Sequence, residues 1–191
     1  MKFDIIIAGV GGQGVLSVSA IIASSAMQAG LAVKQSEVHG MSQRGGAVLA
    51  NLRLSDRPIA SDLIPRGSAA LILSMEPLES LRYLEFLAPG GTVITATTPV
   101  SNIPDYPPVE DVLANIRRLP HALTVDAESL ARKAGSARAT NMVMVGAASP
   151  LLPVSFETLE RFAQSIFAAK GPKVVETNLK ALRAGRSAAS A

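Results

Sequence analysis

The chain of 191 residues contains no cysteine, no tryptophan, two histidines and only 4% aromatic residues. Without cysteine it has no disulfide framework, no thiolate zinc site and no thiolates to ligate an iron–sulfur cluster, so any such cluster belongs to a partner. His39 and His121 stand far apart and beside no acidic cluster, so no metal is expected in this chain. No Gly-x-Ser-x-Gly elbow is present, and acyl-enzyme chemistry is left without its usual signature. The formal charge of +3 comes without a basic run of five or more, which together with the few aromatics argues against nucleic acid. The first apolar stretch, Phe3 to Ala8, carries Asp4 and runs into glycines rather than a cleavage site. It is too short for a membrane span, and a cytoplasmic protein that does not engage a membrane is the expectation.

Hydrophobic residues make up 48% of the chain, and this length and composition suit one buried core. A single α/β domain over residues 1–183 is expected, with a helical C-terminal part over about 140–183. The small, polar run 184–191 reads as a disordered tail. Residues 3–8 are almost wholly apolar, the pattern of a central parallel strand covered on both faces. They break into Gly9-Val10-Gly11-Gly12-Gln13-Gly14. From Gly12 a helical period carries Val15, Val18, Ile21, Ile22, Ala26 and Ala29, and Gly30 fits the C′ position that ends such a helix.

Leu31–Ser36 reads as a second strand, Glu37–Gly46 as a glycine-bracketed loop, and Ala47–Leu54 as a third strand. Ala69–Ser74 is another buried strand, Met75–Leu87 a helix with Leu78, Leu81, Leu84 and Leu87 in register, and Pro89-Gly90-Gly91 a turn. Thr92–Ala96 and His121–Val125 suit strands. The four prolines between Thr97 and Pro108 make that connection irregular, and Val109–Arg118 is helical. Asp126 caps a helix to Ala134 and Ser155 one over 156–169. Thr140 opens a helix through Ala148, and Pro172 opens the last one. Lys170 and Lys173 with Arg183 and Arg186 read as a solvated basic helix end whose cations complement the dipole. Strands alternating with helices predict an α/β fold, three-layered and Rossmann-like, on a mainly parallel sheet.

Gly9, Gly11 and Gly14 have the spacing of the dinucleotide fingerprint, and an anion held there faces free helix N–H groups. The nicotinamide reading also needs an acid at the end of the second strand, roughly 20 residues on. Gln35 and Ser36 stand there, with Glu37 slightly late. Three readings follow: a phosphate-bearing ligand at the turn, an independent NAD(P)-dependent dehydrogenase, or glycines needed only for packing in a structural docking subunit. The second stretch that packing leaves unexplained places Glu37, His39, Ser42, Gln43 and Arg44 after a strand, where ligands bind in parallel sheets. Arg44 suits two-pronged pairing with a phosphate or carboxylate and His39 suits proton transfer; a solvated loop is the alternative. His121, after a proline in an apolar context, reads as a core or edge histidine.

Gly9-Val10-Gly11-Gly12-Gln13-Gly14, followed by Ser36-Glu37-Val38-His39-Gly40-Met41-Ser42-Gln43-Arg44-Gly45-Gly46, resembles the gamma subunit or gamma domain of 2-oxoacid:ferredoxin oxidoreductases, with the indolepyruvate type nearest. The likeness extends through Thr140-Asn141-Met142 and Val175–Leu182, and so over most of the chain. It implies a small subunit, inactive alone, of an enzyme that decarboxylates a 2-oxoacid on thiamine diphosphate, passes electrons through iron–sulfur clusters to ferredoxin and captures the acyl group on coenzyme A. The thiamine diphosphate and clusters are expected on a large partner subunit, ferredoxin is met indirectly, and a homodimer of the small subunit is an alternative assembly. Coenzyme A is the ligand the resemblance places near Gly9, Gly11, Gly12, Gln13, Gly14, Glu37, His39, Ser42, Gln43 and Arg44. No catalytic residue is named by it.

Overall fold

The computed structural model describes residues 1–39, 46–101 and 103–190. Its elements in order are β1 (Lys2–Val10), α1 (Val15–Gln28), β2 (Ala32–His39), β3 (Ala47–Ser55), β4 (Ala69–Ser74), α2 (Pro77–Arg82), β5 (Leu87–Ala96), α3 (Val109–Arg117), β6 (Ala122–Val125), α4 (Ala127–Ala134), α5 (Thr140–Ala148), α6 (Phe156–Phe167) and α7 (Pro172–Ala189). They build one sheet in the order β2-β3-β1-β4-β5-β6. The pairs β1–β4, β4–β5 and β5–β6 are parallel, while β3 runs antiparallel to both β1 and β2.

The apolar run of β1 sits at the centre because both of its faces are covered. Ile5 and Ile7 point into the larger core with Leu71, Leu73 and Ile94. Ile6 joins Ile72 and Val93 in a smaller core on the other face. The alternation of side chains along a strand divides the isoleucine run between the two layers. Residues of α1, α4, α5, α6 and α7 make up the helical side of the larger core. The smaller is closed by Val112 and Ile116 of α3 with Leu78 and Leu81 of α2.

Most expected elements stand where composition places them. The Asp126 side chain accepts from the Ser129 N–H to cap α4, and Ser155 caps α6 through the Thr158 N–H. Gly30 has φ +80°, and the Leu31 N–H reaches back to the Ala26 carbonyl, the wrapped end a C′ glycine allows.

Five expectations are corrected. The second strand continues through Glu37, Val38 and His39, which pair with Ala50, Leu49 and Val48, so Glu37 and His39 belong to a hairpin arm rather than a loop. The helix expected over Met75–Leu87 stops at Arg82, because Leu87 is taken into the sheet opposite Ala69. Pro89-Gly90-Gly91 then lies within β5 as a bulge, where the register shifts between Ala69 and Leu71; a Cβ on Gly91 would come within 2.9 Å of the Ala69 carbonyl oxygen. The C-terminal run is not a tail: α7 continues to Ala189, and Gly185 is buried against α5. Small residues there serve close helix packing rather than disorder.

The fifth correction concerns the basic residues. Lys170 and Lys173 flank the start of α7, where cations oppose the helix dipole. Arg183 pairs with Glu160 and Arg186 lies over the Phe156 ring, 4.2 Å from its centre. In α6, Leu159 is buried and Phe156, Phe162 and Phe167 pack on the core. His121 is exposed at the sheet edge before β6, and its carbonyl accepts from the Val93 N–H.

Candidate functional site

At the carboxyl end of β1 the chain turns on Val10-Gly11-Gly12-Gln13, closed by a hydrogen bond from the Gln13 N–H to the Val10 carbonyl at 3.0 Å. Gly12 has φ +100°, the left-handed third position that a type II turn requires. A Cβ added there would meet nothing within 4 Å, so the turn presents open backbone. Gly14, with φ +80°, begins α1, whose first turn has no side-chain cap. The N–H groups at that end are therefore available to an anion.

Each fingerprint glycine has a different task from the one its spacing suggests. Gly9 permits the close approach of helix to strand: a Cβ there would lie 2.9 Å from Val15 Cγ2 and 3.0 Å from Met75 Cβ. Gly14 admits α5 instead, since its Cβ would fall 2.2 Å from Asn141 Nδ2. Gly11 donates its N–H to the Gly46 carbonyl at 2.8 Å, tying the turn to the entry of β3. Gln13 braces the turn from within. Its Oε1 accepts from the Val10 N–H at 2.8 Å and its Nε2 donates to the Met75 carbonyl at 3.0 Å, linking the ends of β1 and β4.

The two stretches singled out in the sequence meet, through the Gly11–Gly46 bond and the pairing of Val10 with Ala47. Glu37 is exposed on β2 and accepts from Gln35 Nε2; His39 ends β2 opposite Val48. Ser42, Gln43 and Arg44 lie outside the described residues. The dinucleotide geometry is not reproduced. β3 lies between β1 and β2, which sets the end of β2 roughly 10 Å from that of β1, two strand spacings away instead of one. An acid at Glu37 therefore does not stand where the fingerprint needs it.

Beside the glycine turn is a cleft of 380 Å³ lined by Gly12, Gln13, Met75, Ala96, Thr98, Glu128, Ala137, Arg138, Thr140 and Asn141. Met75 follows β4, Ala96 ends β5 and Thr98 lies beyond it, at the carboxyl ends of the strands where an open parallel sheet binds its ligands. Thr98, Arg138 and Asn141 were missed in the sequence because their positions relative to the turn depend on strand order. The available signal was the Thr140-Asn141-Met142 run. Glu128 is held below the usual carboxylate range chiefly by its hydrogen bond from Arg132, so it is an anion on the cleft wall. Arg138 has no carboxylate partner among the described residues.

Behind the cleft wall, buried Glu76 holds the proline-rich connection in place. Its carboxylate caps α2 through the Glu79 N–H and accepts from the Val100 N–H and the Tyr106 hydroxyl. Burial first, and then that hydrogen bond, push the Tyr106 phenol far above its ordinary range, so it stays a donor. No group of three or more His, Cys, Asp or Glu residues suited to a metal occurs among the described residues. Nor is any helix among them long and apolar enough to cross a membrane.

The family model described as Pyruvate ferredoxin/flavodoxin oxidoreductase matches residues 4–188. Over 192 residues the chain is 38% identical to Indolepyruvate oxidoreductase subunit IorB of Archaeoglobus fulgidus, covering 97% of this chain and 94% of the relative. The keto/oxoacid ferredoxin oxidoreductase gamma subunit from Geobacter sulfurreducens superposes with a TM-score of 0.72 at 24% identity, over 98% of each chain. A 2-oxoglutarate:ferredoxin oxidoreductase from Magnetococcus marinus, with 2-oxoglutarate, coenzyme A and succinyl-CoA bound, matches with a TM-score of 0.79 at 23% identity. That match covers 99% of this chain, which spans about a third (31%) of the larger one.

Proposed function

The chain belongs to the pyruvate ferredoxin/flavodoxin oxidoreductase family, and from that premise we propose that it is the coenzyme-A-positioning small subunit of an indolepyruvate-type, thiamine-diphosphate-dependent enzyme. The reaction it supports is oxidative decarboxylation of an aryl 2-oxoacid to an acyl-CoA, with the electrons leaving to ferredoxin. The relative from Archaeoglobus fulgidus supports the substrate class, and the coenzyme A held by the Magnetococcus marinus structure supports the ligand. Lacking cysteine, the chain leaves cluster ligation to the large subunit, which would also bind the thiamine diphosphate.

The observation that carries the reading is the joining of the glycine turn to the entry of β3 at the sheet's carboxyl edge, over an uncapped helix start. The donors there fit a phosphate-bearing ligand: open backbone at Gly12, the first N–H groups of α1, Thr98, Asn141 and Arg138, which has no carboxylate partner among the described residues. Ser42, Gln43 and Arg44 are proposed as further ligand contacts on the resemblance of their sequence run alone. When bound, coenzyme A supplies the thiol that takes the acyl group. This chain binds the phosphates and sets the direction in which the ligand extends; no side chain in it is assigned to bond-making.

The test is anaerobic co-purification with the large subunit and assay of a panel of 2-oxoacids. Aryl pyruvates should be preferred, and the small subunit alone should be inactive. In the assembled enzyme Arg138→Ala should raise KM for coenzyme A about tenfold with kcat nearly unchanged, the pattern of lost uniform binding. A large subunit that turns over at full rate alone, with the same KM for coenzyme A, would overturn the proposal.

A further inference from the structure

A second cleft opens on the helical side, beyond Arg138 and Asn141, which line both. Its volume is 490 Å³, within the range that holds small-molecule ligands. The walls come from α1, the 135–142 segment and the start of α7, and carry the hydroxyl and amide groups of Ser17, Ser136, Thr177 and Asn178. Among the described residues three cations reach it, Arg138, Lys170 and Lys173, and no carboxylate lines it.

The charge there is unbalanced in two independent ways. Three acids of the surrounding helices are already engaged elsewhere, Glu128 with Arg132, Glu160 with Arg183 and Glu176 with Lys180. Lys173 stands in the first turn of α7, which contains no acid, so its charge adds to the positive end of an 18-residue helix instead of complementing it. Lys170 lies over the Phe167 ring at 5.5 Å, a contact that leaves its ammonium N–H groups unspent. Like charges gathered against an electrostatic gradient, around a concave polar surface, are what an anionic ligand offsets.

We infer that this second cleft binds a phosphomonoester or diphosphate group through Lys170, Lys173 and Arg138, at a site separate from the glycine turn. The group has two potential sources: a free phosphorylated metabolite, or a phosphate of the coenzyme A seated at the turn and reaching past Arg138. Only the second source rests on the coenzyme A reading.

The experiment is titration of the full chain with inorganic pyrophosphate by calorimetry. Saturable binding is expected, weakened about tenfold or more in Lys170→Gln/Lys173→Gln, the loss that follows removal of charge-assisted contacts. Lys180→Gln, on the same helix but paired with Glu176, should leave it unchanged. Competition between pyrophosphate and coenzyme A marks the shared-ligand source, and simultaneous binding the separate one; each supports the site. Absence of saturable binding, or equal weakening by Lys180→Gln and the double variant, would overturn it, whatever the assembled enzyme does with coenzyme A.

Discussion

Gln13 shows how a residue that looks like a ligand contact is committed to structure. Both ends of its amide are used, one on the Val10 N–H and one on the Met75 carbonyl. Gln13→Ala should lower the unfolding free energy by about 1–3 kcal/mol, two ordinary net hydrogen bonds. Gln13→Glu keeps the acceptor but sets a carboxylate against the Met75 carbonyl, so at neutral pH it should be the worse of the two and recover on acidification. Urea unfolding at two pH values separates them. Its role was not legible because the sequence contains Gln13 and Met75 but not their adjacency, which arises from the parallel pairing of Ala8 with Ser74. Glu79 offers a second test. Burial is the first cause of its raised pKa, opposed by the Arg82 charge. A carboxyl whose folded pKa lies above its unfolded value gives stability present in full below 4.5 and lost as pH rises through the folded pKa. Glu79→Gln should flatten that fall, measured as the urea midpoint from pH 4.5 upward.

Among elements, the crossing of α5 and α7 sets the tightest tolerance. Gly146 and Gly185 face each other's helices: a Cβ on Gly146 would lie 2.0 Å from the Leu182 carbonyl oxygen, and one on Gly185 1.9 Å from that of Val143. Alanine normally gains about 1 kcal/mol over glycine in a helix. Here overlap with rigid backbone outweighs it, and Gly185→Ala should cost about 2 kcal/mol or more. Ser187→Ala, on the exposed side of the same helix, should be neutral or slightly stabilising in the same thermal or urea melt. The composition of 184–191 suggested disorder because small residues look alike whether they serve solvent or a helix crossing. Caps and glycine stops were legible, since Asp126, Ser155 and Gly30 act on their own neighbours. The antiparallel return of β3 was not, because a run such as Ala47–Leu54 is equally apolar in either direction.

At the scale of the whole molecule the sheet separates a thick helical layer from a thin one, and only the thick layer reaches the clefts. The smaller core, closed by α3, contains none of the residues lining either cleft, whereas Met142 is buried in the larger core and lines the second cleft beside Asn141. The α/β class was readable from the alternation of strands and helices, but this asymmetry required the order β2-β3-β1-β4-β5-β6, which places the hairpin beside the glycine turn. It has a consequence for mutants. Ile116→Ala in the thin layer and Met142→Ala in the thick one should each lower the unfolding free energy by about 2–5 kcal/mol, the cost of a large-to-small core change. Their effects on binding should part. In folded protein, Ile116→Ala should leave the affinity for pyrophosphate as in the parent. Met142→Ala should weaken it, because α5 relaxes toward the vacated volume and carries Asn141 with it, away from Gly14 and from both clefts. Calorimetry well below each variant's melting transition checks this, and equal weakening by the two variants would show that the layers are not independent.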